Sequence, residues 1–332
     1  MQHVCDTGRT RRHVLKGAAL AAMTALLPAA VMAQDWPSGS VQLVVPAKPG
    51  GGTDAAARVV AAALGDQTGG DFVVVNNPGG GGAVAAETIR TADPDGAQLL
   101  FYHSGLLSTY HTGGYDQSPL EEFTLIAALP VGGSYALAVN AESPYQTVDE
   151  LVAATKEQPN KVTLGVQLRG STHFMAGLIA MDSDAAFRVV EAGSDADKLV
   201  QLQGQQIDAA LINTPGTLQY VEKGDLRILA TISGQADRDP NAPEFPSMAE
   251  LGYENAVYGL DFLIMGPKGM DENVVSQINA AFDAVLTDPE ISGQLTKMRL
   301  PITPLGVAES RDRLGAADQR IGATAKMLGL AD

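Results

Sequence analysis

The sequence predicts an α/β protein in which strands and helices alternate through two domains. Short apolar runs alternate with helical runs of about 10–15 residues, an order typical of parallel sheets with right-handed crossovers. Glycine-rich loops stand between strand and helix in two consecutive units. Once an N-terminal export signal is removed, about 300 residues remain, which is long enough for two ordinary domains.

The N-terminus has the order of segments that marks an export signal. A charged stretch that contains Arg11 and Arg12 precedes a short apolar run, which ends in the small-x-small pattern Val31-Met32-Ala33. This order predicts a signal peptide over residues 1–33 and therefore a periplasmic protein. The paired arginines favour the twin-arginine type, with an ordinary secretory signal as the alternative.

The composition excludes several classes of partner and of chemistry. A formal net charge of −16 argues against nucleic acid and anionic lipid as partners. The only cysteine, Cys5, lies in the predicted signal, so the mature chain has no disulfide and no cysteine metal site. The chain also lacks a Gly-x-Ser-x-Gly elbow and a His-Glu-x-x-His helix. We therefore expect no catalytic residue, no metal and no cofactor.

The elements follow one another in a regular order along the chain. The sequence predicts strands at 41–45, 72–75, 98–102, 136–139, 162–166, 207–212 and 226–232. It predicts helices at 55–64, 83–92, 147–157, 175–181, 196–203 and 272–287. The chain is expected to pass between domains near Asn140 and again near 255–259.

The two glycine loops are the main candidates for a binding site. The first contains Gly51, Gly52, Thr53 and Asp54, and the second contains Gly80 and Gly81. A helix N-terminus offers unpaired N–H groups, and glycine allows an anion to approach them closely. We expect the backbone amides and the Thr53 hydroxyl to hold one carboxylate from two sides. The alternative is that each loop is only a tight turn, with Asp54 as an N-cap. Neither loop fits the patterns of nucleotide-binding loops.

Further candidate positions follow other strands. Arg169 is a candidate for a second carboxylate of the ligand, or else a solvated residue at a helix start. The remaining candidates are Gly170, Ser171 and Thr172, the pair His103 and Ser104, and Thr214, for which an ordinary turn is the alternative. Asp261 stands in an apolar stretch and is expected to meet either a cationic part of a ligand or a backbone amide.

The ordered motifs resemble those of the TctC/Bug family, the extracytoplasmic receptors of tripartite tricarboxylate transporters. The resemblance covers nearly the whole mature chain. The motifs that carry it include Pro49-Gly-Gly-Gly-Thr-Asp54, Val75-Asn-Asn-Pro-Gly-Gly-Gly-Gly82, Gly170-Ser-Thr-His173, Phe245-Pro-Ser-Met-Ala-Glu-Leu-Gly252 and Gly266-Pro-Lys-Gly269.

The resemblance implies a type II periplasmic binding protein fold: two α/β lobes, joined by two crossovers, with the ligand cleft between them. It implies one lobe over 34–139 plus 258–332 and the other over 140–257. It also implies that the glycine loops bind a carboxylate and that Ser104 and residues 169–173 contact the rest of the ligand. The expected partners are a small carboxylate ligand and the permease subunits of a tripartite transporter, and the protein is expected to be a monomer.

Two departures from the family leave the ligand open. Asp261 takes the place of an aromatic residue, and Tyr102 with His103 replaces small residues. An aromatic acid, a dicarboxylate and an amino-bearing acid therefore all remain candidates. A sensory module that signals to a membrane kinase is the alternative function, and a secreted hydrolase is the third.

Overall fold

Two five-stranded sheets form the framework of the chain in the computed structural model, which describes residues 36–330. The predicted signal peptide over residues 1–33 lies outside these residues. The strands are β1 (Val41–Val45), β2 (Phe72–Asn76), β3 (Gln98–His103), β4 (Phe123–Pro130), β5 (Ser134–Asn140), β6 (Thr163–Val166), β7 (Arg188–Glu191), β8 (Ala209–Asn213), β9 (Leu226–Ser233) and β10 (Asp261–Pro267). The helices are α1 (Gly52–Thr68), α2 (Ala83–Arg90), α3 (Gly105–His111), α4 (Val148–Glu157), α5 (Ser171–Ser183), α6 (Asp195–Gln203), α7 (Thr214–Glu222), α8 (Glu272–Thr287), α9 (Pro289–Lys297) and α10 (Val307–Met327).

The first lobe is built on the sheet with the strand order β2-β1-β3-β10-β4. In this sheet β1 runs parallel to β2 and β3, whereas β10 runs antiparallel to β3 and β4. The second lobe is built on the sheet β7-β6-β8-β5-β9, in which β5 is the strand that runs antiparallel to both of its neighbours. The parallel strands carry their loops to helices at one edge of each sheet, where ligands of α/β proteins bind.

The prediction of parallel sheets was wrong for β5, and β10, which was not predicted as a strand, is antiparallel to its neighbours as well. β5 and β10 each enter their sheet directly from the other lobe, and this route lets them pair antiparallel. An apolar run such as Phe262–Met265 shows that a strand is buried but not in which direction it runs. β5 already belongs to the second sheet, so the chain leaves the first sheet at 131–133, before the crossing that the sequence suggested near Asn140.

An apolar layer between α1, α8 and the first sheet fixes the position of the first glycine loop. α1 is rich in alanine, and Val60 and Leu64 on its inner face are fully buried. On the neighbouring α8, Phe282 is also fully buried in the same cluster. Burial of a side chain of this size contributes about 1.5–3 kcal/mol relative to its exposure. This packing holds the N-terminus of α1 rigidly at the edge of the sheet.

Candidate ligand-binding site

A cavity of about 180 Å³ lies between the two lobes, at the loop edges of both sheets. From the first lobe it is lined by the β1–α1 loop and by the end of β3. From the second lobe it is lined by the loops that precede α5, α6 and α7 and by the start of β5. Because both lobes supply its walls, their relative position controls the size and accessibility of the cavity.

The first glycine loop lies in the wall of this cavity. Gly51, Gly52 and Thr53 all line it, and α1 begins at Gly52 without a side-chain cap. The N–H groups of the first helical turn have no acceptor within the helix, so they are available to an anion. A Cβ added at Gly52 would lie 3.9 Å from the side-chain oxygen of Asn213 in the second lobe. The helix N-terminus therefore faces across the cleft.

Asp54 stabilises the first glycine loop through the hydrogen bonds of its side chain. Its carboxylate accepts hydrogen bonds from the Gly50 amide at 2.8 Å, from Asn76 at 2.8 Å and from Arg58 at 3.0 Å. Burial alone would raise the pKa of Asp54, but these partners outweigh burial and hold the pKa below its ordinary value. Asp54 does not line the cavity, and its buried side chain contacts other residues rather than solvent.

The second glycine loop lies behind Tyr102, outside the cavity wall. The Gly81 carbonyl accepts hydrogen bonds from the Tyr102 hydroxyl at 3.2 Å and from Thr109 at 2.9 Å. Gly82 has φ +97°, and a Cβ there would lie 2.3 Å from the Tyr102 ring. Tyr102, which lines the cavity, thus separates Gly80 and Gly81 from it. The two loops do not meet at one anion site in this arrangement.

His103 lines the cavity next to Tyr102 and is neutral. Burial lowers the pKa of His103 to about 4, against the opposing effect of the Asp195 carboxylate. Its Nδ1 accepts a hydrogen bond from the Gly105 amide at 3.1 Å, so Nε2 carries the proton of the neutral ring. The neighbouring Ser104 is buried away from the cavity, where its Oγ accepts from the Asp261 amide at 3.1 Å.

The first turn of α5 forms the facing wall. Ser171 and Thr172 line the cavity, and the Thr172 hydroxyl accepts a hydrogen bond from the Gln167 amide at 2.8 Å. Gly170 is the N-cap residue of α5 and does not line the cavity itself. The Gln167 side chain and Tyr135 on β5 complete this wall.

Three other predicted site residues form their contacts with residues of the chain outside the cavity. Arg169 is exposed and donates to the Gly113 carbonyl of the first lobe. Thr214 is buried and lies 2.7 Å from the hydroxyl of Ser134. The Asp261 carboxylate pairs with Arg313, at 2.9 Å for one of the two hydrogen bonds. None of the three predicted residues lines the cavity.

Sequence reasoning missed the pair Asp195 and Lys198 at the start of α6. Lys198 Nζ lies 2.9 Å from Asp195 Oδ1 and 2.8 Å from the Leu211 carbonyl. Asp195 also accepts hydrogen bonds from the main chain and side chain of Asn213. Both members of the pair line the cavity. The available signal was the segment Gly193–Lys198, which follows the short strand β7 as the other loops follow their strands.

Neither a metal cluster nor a membrane span is found in the described chain. Between residues 36 and 330, no group of three or more His, Cys, Asp or Glu side chains is placed to hold a metal ion. Across the same residues, no helix combines the length and the apolar character that a membrane crossing needs.

Comparisons with known proteins find similarity over most of the chain. The family model TctC, the tripartite tricarboxylate transporter family receptor, matches residues 56–309. Protein BugT of Bordetella pertussis is 30% identical over 266 residues, which cover 79% of this chain and 81% of BugT.

Two solved structures are similar over nearly their whole length. R. palustris Rpa4515 with adipate has a TM-score of 0.80 and 26% identity, and the match covers 90% of this chain and 99% of that one. Periplasmic binding protein BugD has a TM-score of 0.81 and 22% identity, over 89% of this chain and 99% of that one. The predicted fold, two α/β lobes of the periplasmic binding protein type, is confirmed.

Proposed function

The chain belongs to the tripartite tricarboxylate transporter receptor family, and we propose that it captures a small carboxylate-containing ligand in the periplasm for a membrane permease. The observation that carries this proposal is the cavity between the lobes, with the uncapped N-terminus of α1 in its wall. The similarity to a structure that contains adipate supports a carboxylate as the ligand. In this proposal the protein binds its ligand, delivers it to the permease and catalyses no reaction.

The proposed ligand contacts follow from the cavity walls. The amides of Gly51 and Gly52 and the hydroxyl of Thr53 bind the proximal carboxylate. His103, Ser171 and Thr172 contact the distal part of the ligand from the two sides of the cleft. The other predicted site residues act indirectly, by holding these groups in place. They are Asp54, Gly80, Gly81, Ser104, Arg169, Gly170, Thr214 and Asp261.

Ligand capture by closure of the lobes is supported by contacts that join them at the cavity. Lys48, in the first lobe, lies 2.8 Å from both carboxylate oxygens of Asp197 on α6. The hydrogen bond from Lys48, with those from Ser194, lowers the pKa of Asp197 to about 2. We propose that such contacts form as a hinge motion closes the cleft and that the closed protein, a monomer, docks on the permease.

Substitution of Lys48 by methionine is expected to weaken ligand binding by less than about fivefold at low salt. The effect is small because the side chains of Lys48 and Asp197 are 50% and 37% exposed, and solvent screens their attraction. Titration calorimetry in about 0.05 M and 1 M salt should show the difference from wild type vanish at high salt. Lys297→Met, on the exposed face of α9, is the matched control. A loss that persists unchanged at high salt would contradict the electrostatic account.

Thermal unfolding of the mature protein against a panel of carboxylates tests the proposed function. A ligand present at about 100 times its Kd stabilises the folded state by about 2.7 kcal/mol, which gives a clear shift in Tm. The panel holds monocarboxylates, dicarboxylates, aromatic acids and amino acids, each with its amide or ester analogue. Ligand that remains from purification is removed first by unfolding and refolding.

This panel of ligands has one result that supports the proposed function and one that contradicts it. A shift that one acid produces and its amide does not produce supports recognition of a carboxylate at the α1 N-terminus. If refolded protein responds to no carboxylate at all, the proposed function is wrong.

A further inference from the structure

The charged groups that line the cavity are arranged so that a carboxylate faces the ligand. Lys48, Asp195 and Lys198 are the charged side chains of the lining among residues 36–330, and each lysine binds an aspartate. The Lys198 side chain is only 2% exposed, whereas that of Asp195 keeps 27% of its surface accessible. Within the Asp195–Lys198 pair the ammonium group therefore lies behind the carboxylate, and Asp195 presents the accessible charge. Lys48, the other cation of the lining, is neutralised by Asp197, whose two carboxylate oxygens lie 2.8 Å from its Nζ.

The hydrogen bonds of Asp195 leave room for a donor from the ligand. A carboxylate accepts about four hydrogen bonds. Asp195 receives three from the chain: one from Lys198, one from the Asn213 amide and one from the Asn213 side chain. Lys198 also donates to the Leu211 carbonyl, which fixes it on the far side of the pair.

The Asp195 carboxylate influences two other side chains of the cavity wall, His103 and Tyr135. Burial lowers the pKa of His103, and the Asp195 carboxylate opposes that shift. Burial raises the pKa of Tyr135, and the same carboxylate adds to that increase. Both residues line the cavity, His103 from the first lobe and Tyr135 from the second, so the effect of the carboxylate reaches side chains of both lobes. A second anion in this space would be repelled at short range.

We infer that the distal end of the ligand is an amino group that donates to Asp195, so that the substrate class is amino-bearing monocarboxylates rather than dicarboxylates. The inference rests on the proposed function, because the proximal carboxylate is assigned to Gly51, Gly52 and Thr53. The lining has no arginine within the described residues, and His103 is neutral, so a second carboxylate would meet no unpaired cation. An ammonium group instead satisfies the free acceptor and the local charge of Asp195.

Titration calorimetry with matched ligands tests this inference. Each set has one carbon chain length, from three to six carbons, and contains a monocarboxylate with its α-amino, ω-amino, ω-hydroxy and ω-carboxy derivatives. The ω-amino derivative, whose amino group lies at the distal end, is expected to bind at least about tenfold more tightly than the dicarboxylate and the hydroxy acid of its set, since hydrogen bonds between charged groups are the strong ones. This comparison of ligands requires only the wild-type protein.

A variant then tests the role of Asp195. In Asp195→Asn/Lys198→Met the charge faced by the ligand is removed without an unpaired ammonium being left in the interior. The preference for the amino derivative over the hydroxy acid should fall by about tenfold or more. Asp237→Asn, in the exposed loop after β9, is the control and should keep the wild-type preference.

The possible results separate the inference from the proposed function. Tightest binding of a dicarboxylate, or equal binding of hydroxy and amino acids, would overturn the assignment of an amino group while a carboxylate receptor still stands. An unchanged preference in the folded double variant would overturn the role of Asp195. The absence of binding for every carboxylate would instead remove the proposed function itself.

Discussion

Lys198→Met is expected to lower the free energy of unfolding at pH 7 by about 3 kcal/mol. Lys198 is the buried partner of Asp195, and its removal leaves a carboxylate without its counter-charge and removes the hydrogen bond that Lys198 donates to the Leu211 carbonyl. Breaking a buried ion pair costs about 3–5 kcal/mol, and the lower end applies because Asp195 keeps contact with the cavity.

The dependence of this loss on pH identifies its cause. In the wild type, burial alone would raise the pKa of Asp195, but Lys198 and Asn213 outweigh it, and the pKa is lowered. The stabilisation from this carboxylate is therefore present above its unfolded pKa and is lost as the pH falls through its folded pKa. In the variant, the effect of burial is no longer opposed by Lys198, so the pKa of Asp195 rises relative to the wild type. Acid then relieves the cost by protonating the carboxylate.

Urea unfolding at pH 7 and near pH 4 measures both effects. The difference in stability between the wild type and Lys198→Met should shrink as the pH falls, and adding Asp195→Asn should recover most of the loss at pH 7. Lys161→Met, an exposed lysine of the same lobe, is the control, with an expected change below about 0.5 kcal/mol. A loss that is the same at both pH values would show that packing, rather than charge, is responsible.

Seven of the ten described strands could be predicted from the sequence, because each contains an apolar run that stands in a regular order with helical segments. The run Val41–Val45 predicts β1 with its observed bounds, and the predicted strand at 226–232 differs from β9 by one residue. The short strand β7 was missed because only its two central residues, Val189 and Val190, are apolar. The strands β4 and β10 were also missed, because no α-helix separates β4 from β5 or β9 from β10, so the expected alternation of strand and helix is broken there. The antiparallel pairing of β5 and β10 was missed because it depends on the route of the chain between lobes, which the local pattern does not contain.

The candidate site was predictable only in part, because sequence proximity does not show which way a side chain points. The loop that opens α1 was found from glycine and threonine at a helix start, and it does line the cavity. The second glycine loop does not line the cavity, because the large ring of Tyr102 lies between the loop and the cavity. In the sequence, Lys198 has the pattern of an exposed lysine three residues after an acidic residue. In the structure it is buried and donates to the Leu211 carbonyl of β8, which the sequence pattern does not indicate.

Gly105→Ala is expected to weaken ligand binding by about tenfold to a hundredfold. Gly105 opens α3 in the first lobe, and a Cβ there would lie 2.1 Å from the Ser171 hydroxyl of the second lobe and 2.5 Å from the His103 ring. Both neighbours line the cavity, so the methyl group must displace the ring and must also either rotate the Ser171 hydroxyl out of the cleft or hold the lobes apart. Such overpacking costs about 1–3 kcal/mol, and about 1.4 kcal/mol corresponds to tenfold in Kd.

The expected loss for Gly105→Ala should appear in binding more than in folding, because the contact with Ser171 exists only while the lobes are together. The Kd and the free energy of unfolding without ligand are both to be measured, the latter in urea. Gly315→Ala is the matched control: a Cβ in this part of α10 meets no atom within 4 Å, and alanine favours a helix by about 0.5–1 kcal/mol over glycine. This control should keep the wild-type Kd. If Gly105→Ala binds as tightly as Gly315→Ala, the approach of α3 to α5 is not part of the ligand-bound state, and the cavity must close by another contact.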